Sequence, residues 1–144
     1  MEAIIFIGLQ ASGKSSFYKE HFFNSHLRIS NDLLKTKSRE SKLLELCFQS
    51  SMPLVIDNTN VTKAVRQLYI EKIKARHYRL TAYYFKTDLE RSLAWNQQRK
   101  EVVPPIGIFA THKKLELPSY DEGFDQLYYV DLIDDKLTAT DWEK

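Results

Sequence analysis

The sequence predicts an α/β fold: one domain, residues 1–144, with a parallel five-stranded sheet covered by helices on both faces. Three observations predict it. Short apolar runs rich in β-branched and aromatic residues recur along the chain. Between them lie stretches whose apolar residues repeat at i, i+3, i+4 and i+7. The first apolar run turns directly into a glycine-containing loop that opens a helix. In such sheets ligands sit at the carboxyl ends of the strands, so strand ends and the loops after them are the places to look for chemistry.

The first strand is Ala3–Ile7 (AIIFI), followed by GLQASGKSS and the helical pattern KSSFYKEHF. Gly8, Gly13, Lys14 and Ser15 meet the pattern G-x-x-x-x-G-K-[ST] in full, and strand before with helix after is the context that gives it meaning. The glycines let successive N–H groups point at phosphate oxygens, at the positive end of the helix. Lys14 would reach the β- and γ-phosphates, and the Ser15 hydroxyl would meet magnesium. Ala11 and Ser12 are small enough for close backbone approach. The expected ATP-binding segment is therefore Gly8, Leu9, Gln10, Ala11, Ser12, Gly13, Lys14, Ser15 and Ser16. The alternative is a chance match, or a loop that holds nucleotide without chemistry.

The second strand is Leu27–Ser30, and Asp32 falls just past its end. A carboxylate there suits a general base that takes the proton of an attacking hydroxyl. Ser, Asn and Asp before two leucines equally suit a helix N-cap, and position alone does not choose. In the next helix, RESKLLELCFQ, Cys47 shares helical spacing with Leu43 and Leu44, as a buried apolar thiol does. The third strand, Leu54–Asp57, ends on a carboxylate that would hold magnesium-bound water beside Ser15. Asn58, Thr59 and Asn60 then orient phosphate or simply shape the chain reversal.

The pattern TKAVRQLYIEKIKARH predicts a helix, Leu80–Lys86 a fourth strand, and Thr87 with Glu90 a capping box. The helix it opens, DLERSLAWNQQRK, carries Leu89, Leu93, Asn96 and Lys100 on one side, apolar first and basic last. Such a face predicts a short helical lid that leaves the core and overhangs the site. Arg99 is then its phosphoryl-stabilising cation, or else part of an ordinary basic last turn. Pro104 and Pro105 interrupt the chain before a further helix, and Leu127–Leu132 is the fifth strand.

With 43% hydrophobic and 28% charged residues, the chain fits a globular class and not a disordered or collagen-like one. No apolar run approaches the ~20 residues of a membrane span, and no signal peptide opens the chain, so a soluble, cytoplasmic protein with no membrane association is expected. One cysteine excludes a disulfide framework, and four scattered histidines give no zinc spacing. Formal charge is only +2, yet basic residues dominate from Lys63 to Lys100 and acidic ones beyond Leu115. That asymmetry fits a polyanion-binding face or a solvated basic helix.

Taken together, GLQASGKS, ISNDLLK, VIDNTN, WNQQRK followed by VP, and LPSYDEGFDQLYYV resemble the kinase domain of polynucleotide 5′-hydroxyl kinases and related small AAA-type ATP-binding proteins. The resemblance runs from Ile4 to Val130. It implies a P-loop kinase fold using ATP and Mg2+ to phosphorylate the 5′-hydroxyl ends of DNA or RNA, with repair or ligase proteins as possible partners. It implies Asp32 as general base, Lys35 toward the acceptor's phosphate and Arg99 as the lid arginine; beside these, Lys14 is expected as a catalytic cation, Ser15 and Asp57 at the metal, and Asn58 and Asn96 toward the acceptor. Two positions depart from the pattern: Asn31 stands where many members have arginine, and Lys35 offers a point charge where arginine is usual. A small-metabolite or nucleoside kinase and a non-catalytic ATP-binding module are the alternative readings.

Overall fold

The computed structural model describes residues 1–143. Strand β1 (Glu2–Ile7) lies at the middle of the sheet, where Ala3 to Ile7 are fully buried. Alternate residues serve opposite faces, as the period of two in a strand requires. Ile4 and Phe6 join Phe17, Phe85 and Val130 on one face, whereas Ala3, Ile5 and Ile7 join Leu44, Cys47, Ile70 and Ile73 on the other. Two-sided burial explains why this strand reads as unbroken apolar sequence.

The other strands are β2 (Leu27–Ile29), β3 (Leu54–Ile56), β4 (Arg79–Phe85), β5 (Gln126–Ile133) and β6 (Lys136–Asp141), in the order β2-β3-β1-β4-β5-β6. The first five are parallel, as expected. The sheet has six strands rather than five, because β6 folds back antiparallel on β5 and forms the edge. The turn between them is Asp134-Asp135, both at positive φ (52° and 61°), the conformation a two-residue hairpin needs. Asparagine–glycine is the usual signal for such a turn; two aspartates signal it weakly, which hid the strand.

The helices are α1 (Lys14–His21), α2 (Asn31–Leu34), α3 (Lys37–Gln49), α4 (Lys63–Ala75), α5 (Leu89–Gln97) and α6 (Pro105–Lys114). Threonine hydroxyls cap α3 and α4, accepting from Arg39 N and Val65 N. At α5 the cap is Asp88 rather than Thr87: its carboxylate accepts from Arg91 N at 3.0 Å, while the Thr87 hydroxyl pairs with Tyr84. The helix also stops at Gln97, short of the expected Lys100. Buried Asn96 redirects the chain there by bonding both the N–H and the carbonyl of Val103, at 2.9 and 2.6 Å. Pro105 opens α6 at its first position, where no N–H is needed.

The charge asymmetry resolves into ion pairs between distant segments. Arg66 meets Glu122, Lys74 meets Asp125 and Arg91 meets Asp131, so these three basic residues neutralise the acidic end of the chain. Among the described residues, no helix is long and apolar enough to cross a membrane.

Candidate active site

The sheet order reverses at β1, and the loops after β1, β2 and β3 therefore open onto one rim. A cleft of about 880 Å³ lies there. It is lined by the glycine loop, Arg28, Asp32, Asp57, Arg99 and the β5–β6 hairpin.

The loop Gly8–Ser16 is fastened from below. Gly8 N donates to Thr59 O at 3.0 Å, and Asn60 Nδ2 donates to Phe6 O at 2.8 Å, so the turn after β3 fixes the exit of β1. Asn60 is buried with φ 47°, a left-handed conformation that asparagine tolerates. Gln10 reaches the other way, its Nε2 donating to Thr111 on α6 at 2.9 Å. Gly13 holds φ 100°, which frees α1 to start with its N–H groups facing the cleft. Lys14 Nζ donates to the carbonyls of Gly8 and Leu9. Burial pulls its ammonium down from 10.5 to about 8; Arg99 pushes the same way, and Asp57 and Asp32 oppose.

Ser15 Oγ donates to Asp57 Oδ2 at 3.3 Å. Hard oxygens on a hydroxyl and a carboxylate suit magnesium, which takes one or two protein ligands and fills its octahedron with water and phosphate. Cis oxygens in such an octahedron stand about 3 Å apart, so the pair fits the ion. Among the described residues no cluster of three or more His, Cys, Asp or Glu side chains forms, so a cation here would draw its other ligands from phosphate and water.

Asp32 sits on the short helix α2, exposed at the cleft wall. The N-cap position belongs to Ser30, which leaves Asp32 inside the helix with its carboxylate clear of the backbone. Asn58 Oδ1 accepts from Asn31 N at 2.8 Å, docking α2 against the turn after Asp57.

Lys35 and Asn96 are not brought to the cleft. Lys35 is the exposed C-cap of α2 at φ 73°, outside the lining, and Asn96 is wholly buried with its amide engaged by Val103. Lys35 was expected there from the resemblance alone; for Asn96 the helical spacing suggested a face toward the site, but α5 turns that residue inward. Arg99 does line the cleft, from the turn after α5 rather than from the helix itself.

Sequence reasoning missed Arg28, whose guanidinium contacts both Ser15 and Asp57. Its signal was an arginine inside a three-residue strand ending beside Asp32. It also missed the buried Arg66–Glu122 pair behind the turn, and the wall that Lys136 and Leu137 of the unforeseen β6 form with Leu132 of β5.

Fold and site together define a P-loop α/β protein, with the glycine loop at the carboxyl end of the central strand. The chain belongs to the AAA domain family, which matches residues 4–105. It is 30% identical, across 99% of its length, to a protein of Acanthamoeba polyphaga mimivirus with the provisional name bifunctional polynucleotide phosphatase/kinase. It is 25% identical, over 90% of its length, to the bifunctional polynucleotide phosphatase/kinase of Schizosaccharomyces pombe. The resemblance to polynucleotide kinases seen in the motifs is thus borne out at family level. The chain covers 37% and 33% of these relatives, about a third of each. In fold it is similar to a gluconokinase from Sinorhizobium meliloti, with TM-score 0.61 and 17% identity over 90% of this chain and 82% of that one. Kti12 from Chaetomium thermophilum, in complex with ADP-AlF3, superposes with TM-score 0.62 and 15% identity over 93% and 91%.

Proposed function

We propose that this chain is an ATP-dependent kinase domain that phosphorylates the 5′-hydroxyl end of DNA or RNA. The observation that carries the reading is the convergence of Lys14, Asp32, Asp57 and Arg99 on one cleft from four different segments. Nucleotide binding alone requires the loop and Lys14; a carboxylate and an arginine facing them are what transfer requires.

The loop N–H groups and Lys14 hold the β- and γ-phosphates. Ser15 and Asp57 would hold magnesium, whose charge offsets that of the phosphates when it is bound. Asp32, free of other partners among the described residues, orients the incoming hydroxyl and takes its proton as the oxygen bonds to phosphorus. The bond from the γ-phosphorus to the β,γ-bridging oxygen breaks, and ADP leaves. Arg99 spreads the charge of the transferring group from the lid side. The open cleft mouth suits a polymer end, and the curated relatives' names support the same acceptor.

The test is transfer of labelled γ-phosphate from Mg·ATP to 5′-hydroxyl DNA and RNA oligonucleotides, with gluconate and nucleosides alongside. Label on an oligonucleotide that falls about 10²- to 10⁴-fold in Asp32→Asn, with ADP affinity kept, is the expected result. Label on a metabolite alone would replace the acceptor, and nucleotide binding with no transfer to any hydroxyl would leave a binding module.

A further inference from the structure

Arg28 sits where neither the motifs nor the comparisons place a functional residue. Strand β2 pairs Arg28 with Val55 of β3, so its side chain leaves the sheet on the face opposite Leu27 and Ile29. That is the α1 face. The guanidinium carbon lies 6.0 Å from the centre of the Tyr18 ring, on the second turn of α1. Arg28 Nε then donates to Asp57 Oδ2 at 2.7 Å, and Nη2 donates to Ser15 Oγ at 3.1 Å. One rigid fork therefore engages both oxygens that fit magnesium. Asp57 is almost fully buried, and among the described residues Arg28 is the cation paired with it.

We infer that Arg28 is an exchangeable occupant of the cation position, displaced from Asp57 and Ser15 when a divalent metal–nucleotide enters. The reason is competition for the same lone pairs. Asp57 Oδ2 already accepts from Ser15 and Arg28, and Ser15 Oγ accepts from Arg28 while donating to Asp57. A magnesium ion held by those oxygens, directly or through one of its waters, would need the lone pairs that the guanidinium occupies, and the two are like charges at close range. Displacement is sterically open, because the Arg28 side chain keeps 27% of its surface exposed and lines the cleft. Two consequences follow. The buried carboxylate stays neutralised without metal, and metal affinity is set partly by the strength of the arginine contact.

The inference rests on the nucleotide-binding part of the function proposed above. The probe is Mn2+ with ADP, followed by the paramagnetic resonance signal of free Mn2+. Wild type binds it, and Arg28→Met binds it about fivefold tighter, as expected when a partly exposed ion pair no longer competes. Arg28→Lys falls between the two, since an ammonium is a point charge and lacks the planar fork that spans both oxygens. A second readout needs no variant: the assigned Nε–Hε resonance of Arg28 in wild type moves, and its solvent exchange accelerates, when Mg·ADP is added. Equal or weaker Mn2+ binding in Arg28→Met, or an Nε–Hε resonance indifferent to bound Mg·ADP, overturns the exchange while the kinase reading stands. Failure of the wild type to bind Mn·ADP at all overturns both.

Discussion

Asn31 donates its backbone N–H to Asn58 Oδ1 at 2.8 Å, and that bond ties the short helix carrying Asp32 to the turn that follows Asp57. The Asp32 side and the Asp57 side of the cleft are registered to each other through this side-chain amide. Asp32 has no hydrogen bond of its own among the described residues, so its position depends on how α2 is held.

Asn58→Leu should therefore separate binding from transfer. ADP affinity stays within about twofold, since the loop and Lys14 are untouched, while kcat falls about tenfold through lost positioning. Steady-state kinetics and hydrogen exchange at the Asn31 amide check this together. Full activity with a deprotected Asn31 amide would show that α2 needs no such tether.

The turn has a second anchor, and it is buried. Arg66 is fully buried, forks onto Glu122 at 2.8 and 3.1 Å, and donates to the Asn60 carbonyl at 2.9 Å. Removing one partner strands a charge in the interior, so Glu122→Gln should cost about 3–5 kcal/mol in urea unfolding. Arg66→Met with Glu122→Leu should recover much of that loss, because a well-packed apolar pair avoids desolvating two ions. Recovery of stability with weakened nucleotide binding would mark the pair as a support for the Asn60 turn.

Long-range pairing of this kind explains what the sequence hid. The glycine loop, the five parallel strands and the rim position of Asp32 and Asp57 were legible because each depends on local pattern: spacing, apolar runs, and the residue at a strand end. Arg66 and Glu122 lie 56 residues apart, and nothing in either neighbourhood announces the other. Arg28 was hidden for the same reason, since its partners come from α1 and the end of β3. Asn96 was misplaced by the opposite error, in which local spacing was read as a shared surface, whereas Lys35 was carried over from the resemblance and lies outside the cleft lining. At α5 that spacing describes a face turned into the protein, where Asn96 closes the lid turn on Val103. The basic stretch could not be resolved from composition, because charge along the sequence does not show that Arg66, Lys74 and Arg91 pair with the acidic end of the chain.

Lys14 gives a prediction in pH. Its folded pKa of about 8 lies below its ordinary 10.5, with burial the leading cause. Between those values the unfolded chain keeps a proton that the folded chain has released, so stability from this group rises with pH across the window. Below about pH 8 both states are charged and the full penalty of burial is present. Lys14→Met lacks the titration. Wild-type stability should therefore gain on the variant by up to about 3 kcal/mol between pH 8 and 10.5, measured as the difference in urea unfolding free energy. A difference that is flat with pH would place the ammonium in a wetter site than its contacts with the Gly8 and Leu9 carbonyls indicate.

The hairpin leaves its own mark on the phosphate loop. A Cβ built on Gly13 would lie 2.6 Å from Leu137 Cδ1, and Gly13 holds φ 100°. Two separate costs attach to Gly13→Ala: backbone strain, which no neighbour can relieve, and collision with the leucine, which the neighbour can. A strained left-handed alanine costs about 1–3 kcal/mol, and the clash adds to it unless β6 shifts. Leu137→Ala alone removes a half-buried contact and destabilises modestly. Placed in the Gly13→Ala background, the same substitution should cost less or restore stability, because it opens the space the new methyl needs. The double-mutant coupling in urea unfolding should thus be favourable by about 1 kcal/mol, within the range for residues in contact. Strict additivity would mean that the hairpin yields freely and that Leu137 does not press on the loop. Coupling of the expected sign would make the edge strand a determinant of loop conformation, reached through one glycine that the motif requires for an independent reason.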